Sequence, residues 1–298
     1  MTGATGFLGQ HLVQSFLTQG HTVRVLVRNE ASAQKRWGSR CELIHWPSTE
    51  ASVPAHAFEG TDAVIHLAGE SVSGRWTSSK RRAIMRSRRE GTRQVVEALG
   101  ACEKGPNHFI SSSAIGYYGD CGTTELDESS PLGDIFLSEV CNVWENEAMQ
   151  AATDTRRVSL LRTGLVLHPE GGALKEMMPL FRKGLGGKLG AGRQMWSWIH
   201  LEDWIRAVVF ILETPVEGPI NLTAPTPVPQ GEFAKALAQT LRRPAFLPAP
   251  AFALKAVLGG FASEVLTSKN AVPRTLLDAG FEFHFPRVNE ALIDLLDA

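Results

Sequence analysis

The sequence lacks a strong net charge and a long hydrophobic run. Lysine and arginine together number 30 and the acidic residues 31, so the formal net charge is −1. This balance predicts neither a nucleic-acid partner nor attraction to a membrane surface. The most apolar late stretch, residues 251–262, is interrupted by Lys255 and is too short to cross a bilayer. No secretory hydrophobic segment opens the chain, so we expect a cytoplasmic protein, with a targeting peptide upstream of Met1 left open.

Cysteine pairs and metal-binding motifs are also missing. The four cysteines, Cys41, Cys102, Cys121 and Cys141, form no C-x-x-C pair. That spacing favours a reducing compartment over a framework of disulfides or zinc. The sequence has no H-E-x-x-H motif, no cysteine–histidine cluster and no carboxylates paired at metal-ligand spacing, so it predicts no metal site.

Glycine is present where it is most informative, at the start of the chain. Gly3, Gly6 and Gly9 form a G-x-x-G-x-x-G pattern that leads directly into an apolar-periodic stretch at residues 12–17. In such a loop the glycines let the backbone approach a pyrophosphate, and the start of the following helix faces the anion. The pattern therefore predicts a nucleotide cofactor. The residues expected to hold it here are Gly3, Thr5, Gly6, Phe7, Leu8 and Gly9.

A buried first strand should precede this loop, but only Met1 and Thr2 do. Two residues are too few for a strand, so we expect the first strand to be truncated. One hypothesis is that the natural chain starts a few residues upstream, or that Met1 is an internal methionine. Another interpretation is that the chain binds no cofactor because this strand is missing.

Strand and helix patterns alternate through the first half of the chain. With 298 residues and 43% hydrophobic content, the chain is long enough for one large or two modest domains with a core. The alternation predicts an α/β, Rossmann-like, doubly wound parallel sheet in residues 1–164, and the glycine- and proline-punctuated residues 165–298 predict a smaller C-terminal α/β lobe that binds substrate. The expected strands are residues 21–27, 41–45, 63–67, 108–112 and 158–161; the expected helices are residues 31–37, 78–99, 139–152 and a last one from about 288.

The ends of two predicted strands point to the kind of dinucleotide. Arg28 follows the second strand, where an acidic residue would bind a free ribose hydroxyl and a cation suits a 2′-phosphate. Arg28 therefore favours NADP(H), although a solvated arginine at a strand end is the alternative. After the strand at residues 63–67, small residues place Leu67, Ala68 and Glu70 at the carboxyl edge of the sheet, where we expect cofactor contacts.

Several motifs in order resemble one known family. The segments TGATGFLG, VIHLAGE, SSSAIGYYGD, LRTGLVL and WSWIHLED are similar to the extended or atypical short-chain dehydrogenase/reductase superfamily. The pieces RWT, GGAL, GLGG and WSWIH, with a family-specific segment from about residue 247, resemble its NAD(P)-dependent epimerase branch with a distinctive C-terminal domain. The resemblance implies a Rossmann fold and NADP as cofactor. Relatives in this branch are described mostly as nucleotide-sugar epimerases or NADP-binding proteins.

The residues that carry chemistry in this superfamily are only partly present. Ser113 matches the serine that holds the substrate hydroxyl, but the Tyr-x-x-x-Lys pair that should follow is absent. Phe136 or Leu137 occupies the tyrosine position, and neither side chain can transfer a proton. Arg88 stands where many relatives have a helix asparagine, within a strongly basic segment. By that position Arg88 is the expected contact to a phosphate-bearing cofactor or substrate.

Tyr118 is the remaining candidate for proton transfer. Tyr117 and Tyr118 are the two tyrosines of the chain, and both follow Ser113 closely. An unperturbed phenol titrates near pH 10, so a basic role needs a cation, which Arg88 or Lys183 could supply. We predict Ser113 and Tyr118 as the catalytic residues. The alternative is that Tyr118 packs its ring and hydrogen-bonds locally in a turn.

Aromatic residues cluster again in the second lobe, where Trp196, Trp198 and His200 follow a glycine-rich loop. They could line a substrate pocket. Equally, the two tryptophans alternate as strand residues do, and His200 with Asp203 could begin a helix.

Two functions fit these observations. One is an NADP(H)-dependent nucleotide-sugar epimerase or oxidoreductase acting on a small polar substrate, sugar-like or phosphate-bearing. The other is a regulatory protein that keeps the dinucleotide site without turnover, which the missing tyrosine–lysine pair favours. A homodimer is compatible with either function.

Overall fold

The computed structural model of the chain describes residues 1–296. In its first half, helices and strands alternate, and each predicted element is present with ends shifted by at most three residues. The elements are α1 (Phe7–Thr18), β1 (Val23–Val27), α2 (Glu30–Trp37), β2 (Cys41–His45), β3 (Ala63–His66), α3 (Ser78–Ala101), β4 (His108–Ala114), β5 (Glu125–Leu126), α4 (Phe136–Met149), β6 (Arg157–Thr163) and β7 (Leu165–Leu167).

The second half has shorter elements and longer connections. They are α5 (Gly172–Arg182), β8 (Met195–Trp196), β9 (Trp198–His200), α6 (Leu201–Glu213), β10 (Gly218–Leu222), β11 (Val228–Pro229), α7 (Gln230–Thr240), α8 (Ala251–Leu258), α9 (Phe261–Leu266), β12 (Asn270–Ala271), α10 (Arg274–Asp278) and α11 (Val288–Leu296). Within residues 1–296, no helix is both long and apolar enough to span a membrane.

The central sheet is parallel throughout, with the order β2, β1, Thr2, β3, β4, β6, β10. The predicted α/β, Rossmann-like fold is therefore confirmed. Strands of such a sheet end at one edge, and the register places Ser111 beside His66 and Ser113 beside Arg162. That carboxyl edge collects the residues of the candidate site, as in other open α/β sheets.

Met1 and Thr2 occupy the place of the expected first strand. The amide of Leu26 donates to the carbonyl of Met1 at 2.8 Å, and the amide of Thr2 donates to the carbonyl of Ile65 at 3.0 Å. These two residues thus pair with β1 on one side and β3 on the other. Only this short piece of backbone separates the two strands, and it leads straight into the glycine loop.

Helices cover both faces of the sheet. On one face α1 and α6 bury Leu12, Phe16 and Trp204 against β1 and β6. On the other face Leu99 of α3 packs with Phe109 of β4. Each large side chain buried in this way stabilises the fold by about 1.5–3 kcal/mol relative to exposure.

The C-terminal half contributes to the sheet as well as forming its own core. Strand β10, which follows residue 164, pairs with β6 in parallel and completes the sheet. Helices α7 and α11 pack together around Phe233, Leu237 and Leu292. The division into residues 1–164 and 165–298 stays a prediction, and the last strand of the sheet comes from the second of these ranges.

Candidate functional site

The glycine loop is built for close approach of backbone to backbone. Gly3 has φ +69°, and a Cβ atom there would lie 2.5 Å from the carbonyl carbon of Leu67. A Cβ at Gly9 would lie 2.3 Å from the carbonyl oxygen of Gly3, so only glycine lets α1 pack against the loop. Gly6 is exposed, and its Cβ direction meets only the Gly3 oxygen, at 3.2 Å. The loop is therefore tight on the protein side and open on the other.

The start of α1 presents unpartnered backbone donors. Gly6 is the residue before the helix, and within the described residues no side chain caps it. The first amides of any α-helix have no acceptor inside the helix, and here these include Phe7 and Leu8. Thr5 is exposed beside them. These donors and the positive end of the helix dipole form a site suited to a pyrophosphate.

Phe7 contributes to this site through its backbone. Its ring packs on Gly171, where a Cβ would lie 2.1 Å from Phe7 Cδ2. The ring also contacts His11, with centroids 5.6 Å apart. The side chain of Phe7 thus fixes α1 against the turn between β7 and α5.

Arg28 lies at the carboxyl end of β1, next to the loop. Its side chain is exposed, and it has no ion-pair partner among residues 1–296. Arg24, on the same strand, differs: its guanidinium binds Glu42 at 2.7 Å and carbonyls that include that of Ala57 at 3.0 Å. Arg24 thus has a structural role, whereas Arg28 keeps its charge unpaired at the sheet edge.

The end of β3 is held rigidly beneath the loop. The hydroxyl of Thr2 lies 2.7 Å from Nδ1 of His66, and the amide of Ala68 donates to that hydroxyl at 3.2 Å. Burial lowers the pKa of His66 to about 3, so its ring is neutral. Leu67 follows directly and closes on Gly3. The backbone of residues 67 and 68 is therefore positioned before any ligand binds.

Glu70 and Arg88 lie together at the same edge. The carboxylate of Glu70 pairs with Lys80 at 2.5 Å, and its carbonyl accepts a hydrogen bond from Arg88 at 2.8 Å. Arg88 is 9% exposed, and a Cβ on Gly69 would lie 3.3 Å from its Cζ. Its Cζ also lies 4.8 Å from the centre of the Trp144 ring. Burial lowers the pKa of Arg88, yet an arginine stays charged in proteins.

Helix α4 has apolar side chains where the superfamily pair is expected. Phe136 packs edge-on against Trp76, with centroids 5.4 Å apart. Leu137 is buried in the same cluster. Four residues after Leu137 comes Cys141, whose thiol donates to the carbonyl of Ala114 at 3.6 Å. Burial raises the pKa of Cys141 to about 12, so this thiol supplies no charge.

Ser113 belongs to a buried ion-pair network. Its hydroxyl donates to Oε1 of Glu145 at 2.6 Å. Arg162 donates to both oxygens of that carboxylate, at 2.9 and 2.8 Å. The side chains of Arg162 and Glu145 are only 3% and 8% exposed. Because the carboxylate holds the serine hydroxyl, Ser113 is oriented into the protein.

Tyr118 is part of the same network. Its hydroxyl donates to Oδ1 of Asn221 at 2.7 Å and accepts from Arg162 at 3.0 Å. Burial raises the pKa of Tyr118 to about 12, against the opposing charge of Arg162. The predicted cations are not its partners, since Arg88 lies with Glu70 and Lys183 is exposed at the end of α5. The geometry favours a structural role for Tyr118, and its catalytic role stays a prediction.

The aromatic cluster of the second lobe is structural in the same way. The indole of Trp198 is fully buried and donates to the carbonyl of Thr226 at 3.1 Å. His200 caps α6, because its Nδ1 accepts from the amide of Glu202 at 3.0 Å. Its ring stacks on Phe285 with centroids 4.0 Å apart. These side chains join the C-terminal helices to the sheet.

Comparison with known proteins gives a consistent family. The sequence model of the NAD dependent epimerase/dehydratase family matches residues 1–223, and a domain of unknown function (DUF1731) matches residues 249–295. The chain belongs to the NAD dependent epimerase/dehydratase family. It is 40% identical over 295 residues to the chloroplastic SDR39U1 homolog of Arabidopsis thaliana, covering 98% of this chain and 84% of that protein. It is 38% identical to the epimerase family protein Mb2239 of Mycobacterium bovis, covering 98% and 95%.

A solved structure supports the same placement. The human epimerase family protein SDR39U1, crystallised with NADPH, superimposes with a TM-score of 0.89 at 32% identity, covering 99% of this chain and 98% of that one. The structural similarity therefore includes the C-terminal region as well as the central sheet.

This member of the epimerase/dehydratase family has two site residues that sequence reasoning missed. Glu145 and Arg162 form the ion pair that holds Ser113 and Tyr118. Arg162 is the single charged residue of the quoted segment LRTGLVL, and it lies near the end of β6 in the central sheet. Such a residue predicts a buried partner, because an unpaired charge in a central strand is costly. The partner, Glu145, could not be identified from spacing alone.

Proposed function

We propose that the chain binds NADP(H) and acts as an oxidoreductase or epimerase on a small polar substrate, sugar-like or phosphate-bearing, in the cytoplasm. The observation that carries the cofactor assignment is the open glycine loop, with uncapped amides at Phe7 and Leu8 beside the unpaired charge of Arg28. The NADPH in the human relative supports the same cofactor.

The residues present fit this dinucleotide. The space above Gly6 is open, and the amides of the first helical turn suit the pyrophosphate. Arg28 would hold the 2′-phosphate, because a guanidinium matches phosphate geometry with paired donors. Leu67 and Ala68 would border the adenosine side of the cleft. Bound NADP(H) supplies hydride transfer, and the protein supplies binding and orientation.

Arg88 would supply a positive charge at the cofactor site without contacting Tyr118. It reaches the sheet edge from α3 rather than α4, and it is held by the carbonyl of Glu70. A guanidinium can orient a hydroxyl or a carbonyl oxygen but cannot exchange a proton near neutral pH. Arg88 would thus position the cofactor or the substrate, and proton transfer would fall to Tyr118 or Ser113 only if their network opened.

The second candidate function is a dinucleotide-binding regulatory protein without turnover. It is favoured by the geometry of Tyr118, whose hydroxyl is engaged by Asn221 and Arg162. It shares the cofactor site and differs only in chemistry. A homodimer is compatible with both candidates.

Calorimetric titration with NADPH and NADH tests the cofactor assignment. Arg28→Ala should weaken NADPH binding by about tenfold or more, with little change for NADH, since only NADPH carries the 2′-phosphate. Lys35→Ala is the matched control, because it removes an exposed charge from the neighbouring α2. Equal losses for both dinucleotides, or for both variants, would refute the role of Arg28.

Turnover separates the two candidates. If the chain oxidises NADPH with a keto-sugar substrate, Tyr118→Phe should abolish the rate while leaving the NADPH affinity unchanged. Tyr117→Phe is the control, since Tyr117 is the adjacent phenol. Binding of NADPH without turnover on any such substrate would favour the regulatory function.

A further inference from the structure

Two histidines and a glutamate meet beside the first turns of α1. His11 lies on α1, whereas His168 follows β7 and Glu170 comes two residues later. One donor atom from each side chain lies within 4.8 Å of the other two. The His11 and His168 rings are 5.0 Å apart at an angle of 62°. The fold brings these groups together from distant parts of the chain, which explains why sequence spacing predicted no metal.

One ring nitrogen of this cluster lacks a protein partner within residues 1–296. Nε2 of His11 is buried and has no hydrogen-bond partner among the described residues. A bound metal ion would give this nitrogen the partner that it lacks.

The donor set identifies the class of cation. Two imidazole nitrogens and one carboxylate oxygen are the ligands of open zinc sites, whereas calcium and magnesium prefer oxygen alone. We propose that His11, His168 and Glu170 bind one divalent transition-metal ion of the zinc class, with a fourth position left to water. The assignment is independent of the cofactor.

Small rotations would complete the site. Ligands of a four-coordinate zinc at about 2.0–2.1 Å lie roughly 3.3 Å apart, so donor atoms that lie within 4.8 Å of one another must approach by up to about 1.5 Å. The amide of Glu170 donates to Nδ1 of His168 at 3.3 Å, a long hydrogen bond that restrains the ring only weakly. His11 and His168 are half-buried and Glu170 is exposed, so all three can turn.

A bound ion would join the start of α1 to the turn between β7 and α5. Phe7 already packs on Gly171 at this junction, and the ion would add a second connection. A ligand that binds only the folded state raises the unfolding midpoint with its concentration. Binding can therefore be measured without any enzymatic activity.

The test uses the full chain, free of any affinity tag and treated with a chelator. Zn²⁺ is titrated by calorimetry and thermal unfolding, and Co²⁺ reports the ligand geometry through its visible absorption. We expect one ion per chain and a higher unfolding midpoint. Glu170→Gln, at an exposed position that keeps the fold, and His168→Asn should each weaken binding by at least about tenfold.

The matched control is His284→Gln. His284 contacts the carboxylate of Glu202 at 2.8 Å and thus forms a histidine–glutamate pair elsewhere on the surface. The His284→Gln variant should bind Zn²⁺ with the affinity of the wild type. The proposal is overturned if neither ion binds below about millimolar concentration, if Glu170→Gln and His168→Asn bind as the wild type does, or if the control weakens binding equally.

Discussion

Two regions at the carboxyl edge of the sheet differ in how their polar groups are satisfied. The glycine loop, residues 3–9, presents uncapped amides beside Arg28, whose charge has no ion-pair partner within residues 1–296. The buried network consists of Ser113, Tyr118, Glu145, Arg162 and Asn221, and its members bind one another. A polar group at the sheet edge that has no protein partner is available to a ligand. A buried polar group whose hydrogen bonds are all made within the protein stabilises the fold instead.

Arginine has two different roles in these regions. Arg162 is buried and bidentate to Glu145, an arrangement that offsets the cost of removing both charges from water. Arg28 stays in solvent at the end of β1. Residue type alone predicts phosphate binding equally for both arginines. Burial and the presence of a carboxylate partner distinguish Arg162 from Arg28.

The largest expected effect comes from breaking the buried network. Glu145→Gln leaves the Arg162 guanidinium buried beside a neutral amide, so the free energy of unfolding should fall by about 3–5 kcal/mol. Denaturant unfolding measures it. Glu147→Gln is the control on the same helix, because its partner Arg93 is 53% exposed and the loss of this pair should change stability far less. Equal losses would mean that the network does not hold the fold.

Adding a methyl group to Gly9 tests how tightly the glycine loop is packed. Gly9→Ala places Cβ 2.3 Å from the carbonyl oxygen of Gly3, so it should cost about 1–3 kcal/mol of stability and abolish NADPH binding. Gly100→Ala is the control in α3, where a Cβ meets nothing within 4 Å. There the change should be neutral or slightly stabilising. An unaffected NADPH affinity in Gly9→Ala would contradict the assignment of the loop.

A pH dependence of stability is expected from His66, below the loop, and it is negligible at neutral pH. Its folded pKa is about 3 and its unfolded pKa about 6.5, so its contribution is complete above pH 6.5 and is lost as the pH falls below that value. One such group gives a slope of about 1.4 kcal/mol per pH unit. His66→Gln should remove that slope between pH 6.5 and 4.5, while curves above pH 7 stay parallel. Parallel curves over the whole range would contradict the lowered pKa, because His66 would then bind a proton equally well in the folded and the unfolded state.

The sequence could predict the tight glycine loop because its determinants are local. Gly3, Gly6 and Gly9 are spaced for one turn and one helix start, and no distant residue changes that requirement. The strands of the first half were predictable for the same reason, since each is a short β-branched or apolar run between turn residues.

The roles of Ser113 and Tyr118 depend on residues far away in the chain. Glu145 is 32 residues from Ser113, and Asn221 is 103 residues from Tyr118. Asn221 lies in the network because β10 pairs with β6. No pattern in residues 218–222 predicts that pairing. The sequence therefore identified which residues carry polar groups at this edge, but not which of them are already satisfied.

Hydrogen exchange of the full chain with saturating NADPH, NADH or no ligand tests the central claim most directly. We predict that NADPH protects the amides of residues 3–9 and of residues 27–30, and that NADH protects only the first segment, because it has no phosphate for Arg28. Absence of protection at residues 3–9 with either dinucleotide would contradict the account, because the open loop would then bind no cofactor.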